Sequence, residues 1–415
     1  MAKNVKDAAF SFDEYYIEET KRIAEQHGLE PLVSHLQGKL TESDNVNINI
    51  AVTGISGSGK SSFINTIRGM RAFHEGAAKV GFVQTTMEPI SYPFPLDENV
   101  KIWDLPGVGT PDFTQQKYVQ QTELDTYDFF LIFTHKRFTV HDLWLANKVK
   151  EMKKKFFFVR THFDSELMAC ERNFPGRYKE LELLEEIKED VKKYVEGEKT
   201  ESQQVEKPEY VYVISTNFDD TKKWEYGKLV EDMKNALPDV KCQVLTLALW
   251  DLSEDSMKEK SAVWRSRILP DALACGATGA TYPFRGPLPG DMSLLTELEN
   301  RVRKSFGLDV ASLKRLSKRT GVPLEKLLTL AKGCFDISAC NTIEEIISMF
   351  GLAGASFAFP PGSQLALVFS SAVAGGASLG MALFVLPKML DRMERVAIDV
   401  IKTTLAFQNN DARKK

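Results

Sequence analysis

The stretch "GISGSGKSS", Gly54 to Ser62, constrains this chain more than any other segment of its length. Gly54, Gly59, Lys60 and Ser61 satisfy G-x-x-x-x-G-K-[ST] in full, the spacing of a loop that wraps phosphate. A glycine–serine linker is the bland alternative, but a linker has no reason to hold a lysine there. The flanks also argue against it: an alternating run, "NVNINIAVTG", leads in, and the helix-compatible "SSFINTIRGM" leads out. In such a loop glycines let successive backbone N–H groups turn inward toward phosphate oxygens, beside a helix N-terminus that favours anions. Gly54, Ser56, Gly57, Ser58, Gly59 and Ser62 then belong to the cradle, Ser58 mainly through its N–H. Lys60 reaches the β- and γ-phosphates, and the Ser61 hydroxyl ligates Mg²⁺.

The period of the surrounding sequence supports this. From residue 46 apolar residues alternate (Val46, Ile48, Ile50, Val52), and strand-like runs recur at "VKIWD" (100–104), "YDFFLIF" (127–133), "KFFFVRT" (155–161) and "EYVYVIS" (209–215). Charged, helix-capable stretches separate the later ones, which predicts a doubly wound α/β domain with a mostly parallel sheet, placed at 45–236. Before it, 1–44 has helix spacing, with Tyr16, Ile17, Thr20, Ile23 and Ala24 on one face. After Pro238 the strand pattern fades, and 237–415 reads as mainly α. Neither flank looks able to bury its apolar face alone, so one helical domain built from both ends is expected. At 415 residues the chain has room for two such cores.

Two later motifs choose the base. "WDLPGVG" places Asp104 and Gly107 in D-x-x-G after an apolar strand, where Asp104 can hold Mg²⁺ through water and the Gly107 N–H can sense a γ-phosphate. "FFFVRTHFDSE" offers Thr161-His162-Phe163-Asp164, a relative of the N/T-K-x-D guanine motif. A carboxylate at Asp164 accepts from guanine N1–H and N2–H₂, groups adenine lacks, and polar sites of that kind discriminate strongly. His162 replaces the usual lysine, and an imidazole can also stack on a base. Asp164 as a mere helix cap is the competing reading. Ser215, Thr216 and Asn217, in "VISTNFDD", are candidates to support the base through backbone N–H groups.

"EGAAKVGFVQTTMEPISYPFP" lies between loop and D-x-x-G, and either Thr85 or Thr86 can close over Mg²⁺ and the γ-phosphate; Thr86 is preferred. The metal set is therefore Ser61, Thr86 and Asp104. Many GTPases carry a water-positioning glutamine just after D-x-x-G, but this chain has Val108. Valine cannot orient water, so help must come from elsewhere in the chain or from a partner molecule.

Together these residues resemble the immunity-related GTPases, an interferon-inducible family. The resemblance rests on "GISGSGKSSFINTIRG", the switch segment, "VKIWDLPGVGTPDF", "KFFFVRTHFDSEL" and, more sparsely, "FGLDVASLKRLSKRTG". It implies a Ras-like P-loop GTPase domain beside an all-α helical domain, in a dynamin-like design. It further implies GTP and GDP binding, self-association through the G domain, company with related GTPases, and action at intracellular membranes, notably vacuoles enclosing pathogens. Lys60 aligns the chain with members that keep the phosphate-loop lysine. Members commonly have an acidic catalytic residue before the paired threonines, and Gln84 stands there, so Lys60, Thr86 and Gln84 are the candidate catalytic residues.

Charge and composition narrow the remainder. A net charge of −4 gives no general electrostatic reason to bind nucleic acid. Five scattered cysteines suit a reducing compartment, and "MAKNVKDAAF" carries neither an apolar signal run nor a myristoylation glycine at position 2, which is the pattern expected of a cytoplasmic protein, while association with intracellular membranes is what the resemblance implies. Residues 346 to 387 contain no charge. A buried helical hairpin turning at Pro360-Pro361-Gly362 is the preferred account, and membrane contact from Leu365 to Leu386 the alternative.

Overall fold

The computed structural model describes residues 46–81, 88–108, 115–135, 139–177, 179–197, 211–221, 223–280, 289–334 and 373–412, with the isolated positions 22, 26, 340 and 345. The N-terminal segment read as helix therefore lies outside the described residues except for Arg22 and Gln26, both helical. The chain divides into two compact units, Val46–Trp250 and a second formed by Met1–Asn45 with Asp251–Lys415.

In the first unit the order is β1 (Ile48–Gly54), α1 (Lys60–Ile67), β2 (Ile90–Pro93), β3 (Val100–Asp104), α2 (Gln115–Thr122), β4 (Phe129–Thr134), α3 (Val140–Glu151), β5 (Lys155–Arg160), α4 (Phe163–Asn173), α5 (Glu180–Gly197), β6 (Val211–Val213), α6 (Tyr226–Asn235) and α7 (Asp239–Ala248). The strands form a six-stranded sheet in the order β2-β3-β1-β4-β5-β6. All pairings are parallel except β2 with β3. Period-two alternation explains why both faces are covered. Phe129, Leu131 and Phe133 of β4 enter one core with Ile48, Ile50, Val52, Phe63 and Tyr212, while Phe130 and Ile132 enter the other with Ala51, Leu143, Val149 and Phe158. After β1 the chain goes to one side of the sheet, to β3, and then crosses to the other side, to β4. Such a reversal opens a crevice at the carboxyl ends of the strands, where ligands of open α/β sheets bind.

Two features depart from the sequence pattern. The antiparallel edge strand β2 was not evident in its sequence: "ISYP" is mostly exposed and ends in proline, which an edge strand tolerates because its outer N–H groups need no partner. The unit also runs past residue 236 to Trp250, because Leu237, Val244, Leu245, Ala248 and Leu249 bury in the core beneath the sheet.

The second unit contains α8 (Glu254–Ala280), α9 (Pro289–Ser305), α10 (Val310–Thr320), α11 (Leu324–Ala331) and α12 (Val373–Ala412). Helix α10 follows from its ends: the Asp309 side chain caps it by accepting from Ser312 N at 2.9 Å, and Gly321 at φ 75° stops it. Helices α8 and α12 run antiparallel, since Arg265 pairs with Asp391 at 2.6 Å while Lys402 pairs with Glu254 at 3.4 Å. The uncharged stretch is described only from Val373, where it is already helix α12, which continues through Pro387 into a charged segment. The hairpin expected at Pro360-Pro361-Gly362 lies outside the described residues. No helix among the described residues is long and apolar enough to cross a membrane.

Candidate functional site

The loop from Gly54 to Gly59 leaves β1 at the crevice and delivers the chain into α1. Gly54 has φ 127°, and a Cβ there would lie 2.0 Å from the Phe133 carbonyl oxygen of β4, so no other residue fits without moving the sheet. Gly59 is the N-cap of α1 in the left-handed region, φ 81°. A Cβ on it would approach Thr216 Oγ1 at 3.2 Å and His162 Nε2 at 3.7 Å. These contacts show that the guanine-type motif and the segment after β6 both close onto the phosphate loop. Ser56 and Gly57 are exposed at its tip, Ser58 is fully buried with its hydroxyl donating to Ile55 O at 2.8 Å, and Ser62 is half-buried.

Lys60 is almost wholly buried, its Nζ donating to Gly54 O at 3.2 Å and Ile55 O at 3.0 Å. Burial pulls its pKa down from the ordinary lysine value, and the charges of Asp104 and Asp142 act in the opposite direction. Phosphate oxygens would offer this ammonium charged acceptors in place of two neutral carbonyls. Ser61 Oγ donates to Asp104 Oδ2 at 3.0 Å, joining the start of α1 to the end of β3. A hydroxyl and a carboxylate beside a phosphate cradle are a hard-oxygen donor set that fits Mg²⁺. Gly107 and Val108 follow, both buried, and Val108 is 2% exposed within the core formed by Tyr118, Tyr127 and Phe130.

The segment expected to read the base sits between β5 and α4. Thr161 is fully buried, and its hydroxyl donates to Ser58 O at 2.8 Å and lies 3.1 Å from Thr134 O, which locks the segment to the phosphate loop. His162, at φ 62°, is the N-cap of α4 without a side-chain capping bond, and its ring meets that of His135 at 5.8 Å. Phe163 is fully buried, edge-on to Trp224 at 5.0 Å. Asp164 therefore lies inside the first turn of α4, half-buried, and is not its cap. Ser215 is buried and its Oγ accepts from Asn217 N at 3.0 Å; Thr216 O accepts from Thr66 Oγ1 at 2.8 Å; Asn217 is exposed. The structure thus brings Gly54–Ser62, Asp104, Thr161, His162 and Thr216 together, whereas Gln84, Thr85 and Thr86 lie outside the described residues.

Two pairs had no signature in the sequence. Thr53 Oγ1 and Tyr118 OH are 2.7 Å apart and buried, tying α2 to the strand before the loop. Arg160 and Glu166 form an ion pair across the turn between β5 and α4. Neither partner follows a helix-face spacing, so only the fold reveals them.

A strand, a glycine loop with an inward lysine, and a serine–aspartate pair at the switch point of a mostly parallel sheet define a P-loop GTPase domain. The chain belongs to the interferon-inducible GTPase family: the profile described as "Interferon-inducible GTPase (IIGP)" matches residues 13–350. It is 35% identical over 316 residues to T-cell-specific guanine nucleotide triphosphate-binding protein 2 of Mus musculus, covering 76% of this chain and 74% of that protein. It is 30% identical over 382 residues to Interferon-inducible GTPase 5 of Rattus norvegicus, covering 89% and 79%. Among solved structures, the FeoB G-domain from Methanococcus jannaschii is a remote likeness, with TM-score 0.26, 16% identity and coverage of 47% of this chain and 98% of that one. The protein is a GTPase, and its nucleotide is a guanine nucleotide.

Proposed function

We propose that this GTPase binds GTP and GDP with Mg²⁺, self-associates through its G domain, hydrolyses GTP slowly, and acts at intracellular membranes in cell-autonomous immune defence. The observation that carries the nucleotide chemistry is the Ser61–Asp104 contact at 3.0 Å behind a buried Lys60. Ser61 and Asp104, with Thr86 from the switch segment, would hold the metal, which when bound neutralises charge on the β- and γ-phosphates. Lys60 supplies a fixed positive charge at the phosphates. Asp164 accepts from the guanine edge, with His162 against the base and Ser215, Thr216 and Asn217 backing it. Gln84 stands where the resemblance implies an acidic catalytic residue, and an amide accepts a proton far less readily.

Slow, partner-dependent turnover is the reading that Val108 supports. Its side chain is packed into the core, so the residue after D-x-x-G presents no group to orient water. The same observation favours a second reading, a nucleotide-gated membrane scaffold with little turnover. Single-turnover hydrolysis measured against protein concentration separates the two. A rate that climbs with concentration supports the self-activated GTPase; a rate near zero throughout leaves the scaffold. The cytoplasmic, membrane-associated location is what the resemblance implies, and is tested by comparing tagged wild type with Lys60→Ala. A distribution unchanged by that substitution overturns nucleotide-gated targeting.

A further inference from the structure

The turn that presents His162 and Asp164 is expensive to maintain. His162 is an L-residue held at φ 62° and caps α4 with no side-chain bond, a combination that persists only where neighbours enforce it. Three devices enforce it. One is the Thr161 hydroxyl on Ser58 O, and the second is Phe163 buried against Trp224 and Val213.

The third is the ion pair between Arg160, the last residue of β5, and Glu166, which bracket the turn. Glu166 N also donates to His162 O at 3.1 Å, so the residue that grips Arg160 is itself bonded to the strained N-cap. The Arg160 side chain is 9% exposed and that of Glu166 31%, so the guanidinium has lost most of its water and the carboxylate part of it. Arg160 Nη1 and Glu166 Oε2 are buried without hydrogen-bond partners among the described residues. An incompletely satisfied buried ion pair of this kind is a poor stabiliser, because desolvation offsets much of the attraction. What it supplies is geometry: a charged strut between the strand end and the first turn of α4.

We infer that Arg160 and Glu166 are positioning residues for guanine selectivity, fixing the turn so that the Asp164 carboxylate meets the base edge. This rests on the reading of Asp164 as the guanine acceptor. The strut acts on the base end of the nucleotide only, so loosening it should weaken recognition of guanine more than grip on the phosphates. That predicts a change in preference between nucleotides, which general destabilisation of the domain would not produce.

The test is titration of the full chain with fluorescently labelled GDP, IDP and ADP in the presence of Mg²⁺. IDP lacks the N2 amine that Asp164 would bind. For Glu166→Gln, which keeps the shape and removes the charge, and for Arg160→Met, the GDP-over-IDP preference should shrink about tenfold. ADP affinity should stay within about twofold of wild type, a change of under ~0.5 kcal/mol. Circular dichroism establishes whether each variant is folded. A folded variant with the wild-type preference overturns the inference. Failure of both variants to fold also overturns it, since the pair would then hold up the domain as a whole. Wild type that binds GDP and IDP equally instead removes the Asp164 reading, an outcome distinct from a normal wild type with unchanged variants.

Discussion

At the residue scale, the site is made by backbone positions that admit only one choice. Gly54 is the strictest, since any Cβ meets the Phe133 carbonyl oxygen at 2.0 Å and the backbone is already at φ 127°. Gly54→Ala should destabilise the first unit by about 4 kcal/mol or more, read as a fall in the urea midpoint. A midpoint within error of wild type would mean that the loop is not pinned between β1 and β4 as described. Thr161 is the second such position. Thr161→Val keeps the shape but leaves the Ser58 carbonyl without its hydroxyl donor, with an expected loss of about 1–3 kcal/mol. The substitution should also weaken GDP binding, measured by the same fluorescent titration. Gly54 was legible as part of a phosphate motif. The reason Thr161 matters was not, because its partner lies 103 residues away in sequence.

At the element scale, strands and helices with clean periodicity were legible, and those defined by their neighbours were not. The continuous apolar run of β4 and the Asp309-to-Gly321 punctuation of α10 are local patterns. Strand β2 and helix α7 depend on what they lie against. A buried charge in the second unit gives a prediction at this scale. Lys260 of α8 is 1% exposed and donates to Ser305 O, the carbonyl at the end of α9, at 2.6 Å, while Trp264 Nε1 donates to Ser305 Oγ at 2.7 Å. Burial pushes the Lys260 ammonium down to about 7, with Asp251 and Glu259 opposing that shift. From about pH 7 to 10.5 the unfolded chain binds a proton that the folded chain does not, so this group makes stability rise with pH. Below about 7 both states are protonated and the cost of burying the charge is fully present. The stability difference between wild type and Lys260→Met should therefore climb in that window, by at most ~1.4 kcal/mol per pH unit. Paired chemical denaturation curves from pH 6 to 10 check this, and a difference that does not vary with pH refutes it.

At the scale of the whole molecule, the expectation is self-association gated by nucleotide. With a non-hydrolysable GTP analogue and Mg²⁺, light scattering should show a concentration-dependent rise in mass that GDP does not produce. Lys60→Ala should abolish it, and a mass indifferent to nucleotide would remove the G-domain dimer from the proposal. Short motifs and periods along the chain already carried the nucleotide-binding class and the alternation of strands and helices. Those are written in short motifs and in the periods of 2.0 and 3.6 residues, which need only local geometry. The tertiary structure alone decided that α7 completes the core of the first unit, that Val108 is core, that Thr161 bonds to the Ser58 carbonyl, and that Arg160 pairs with Glu166 across the turn before α4. Each of these depends on contacts between residues far apart in the chain, and no local period or spacing encodes which distant side chain will fill a given space.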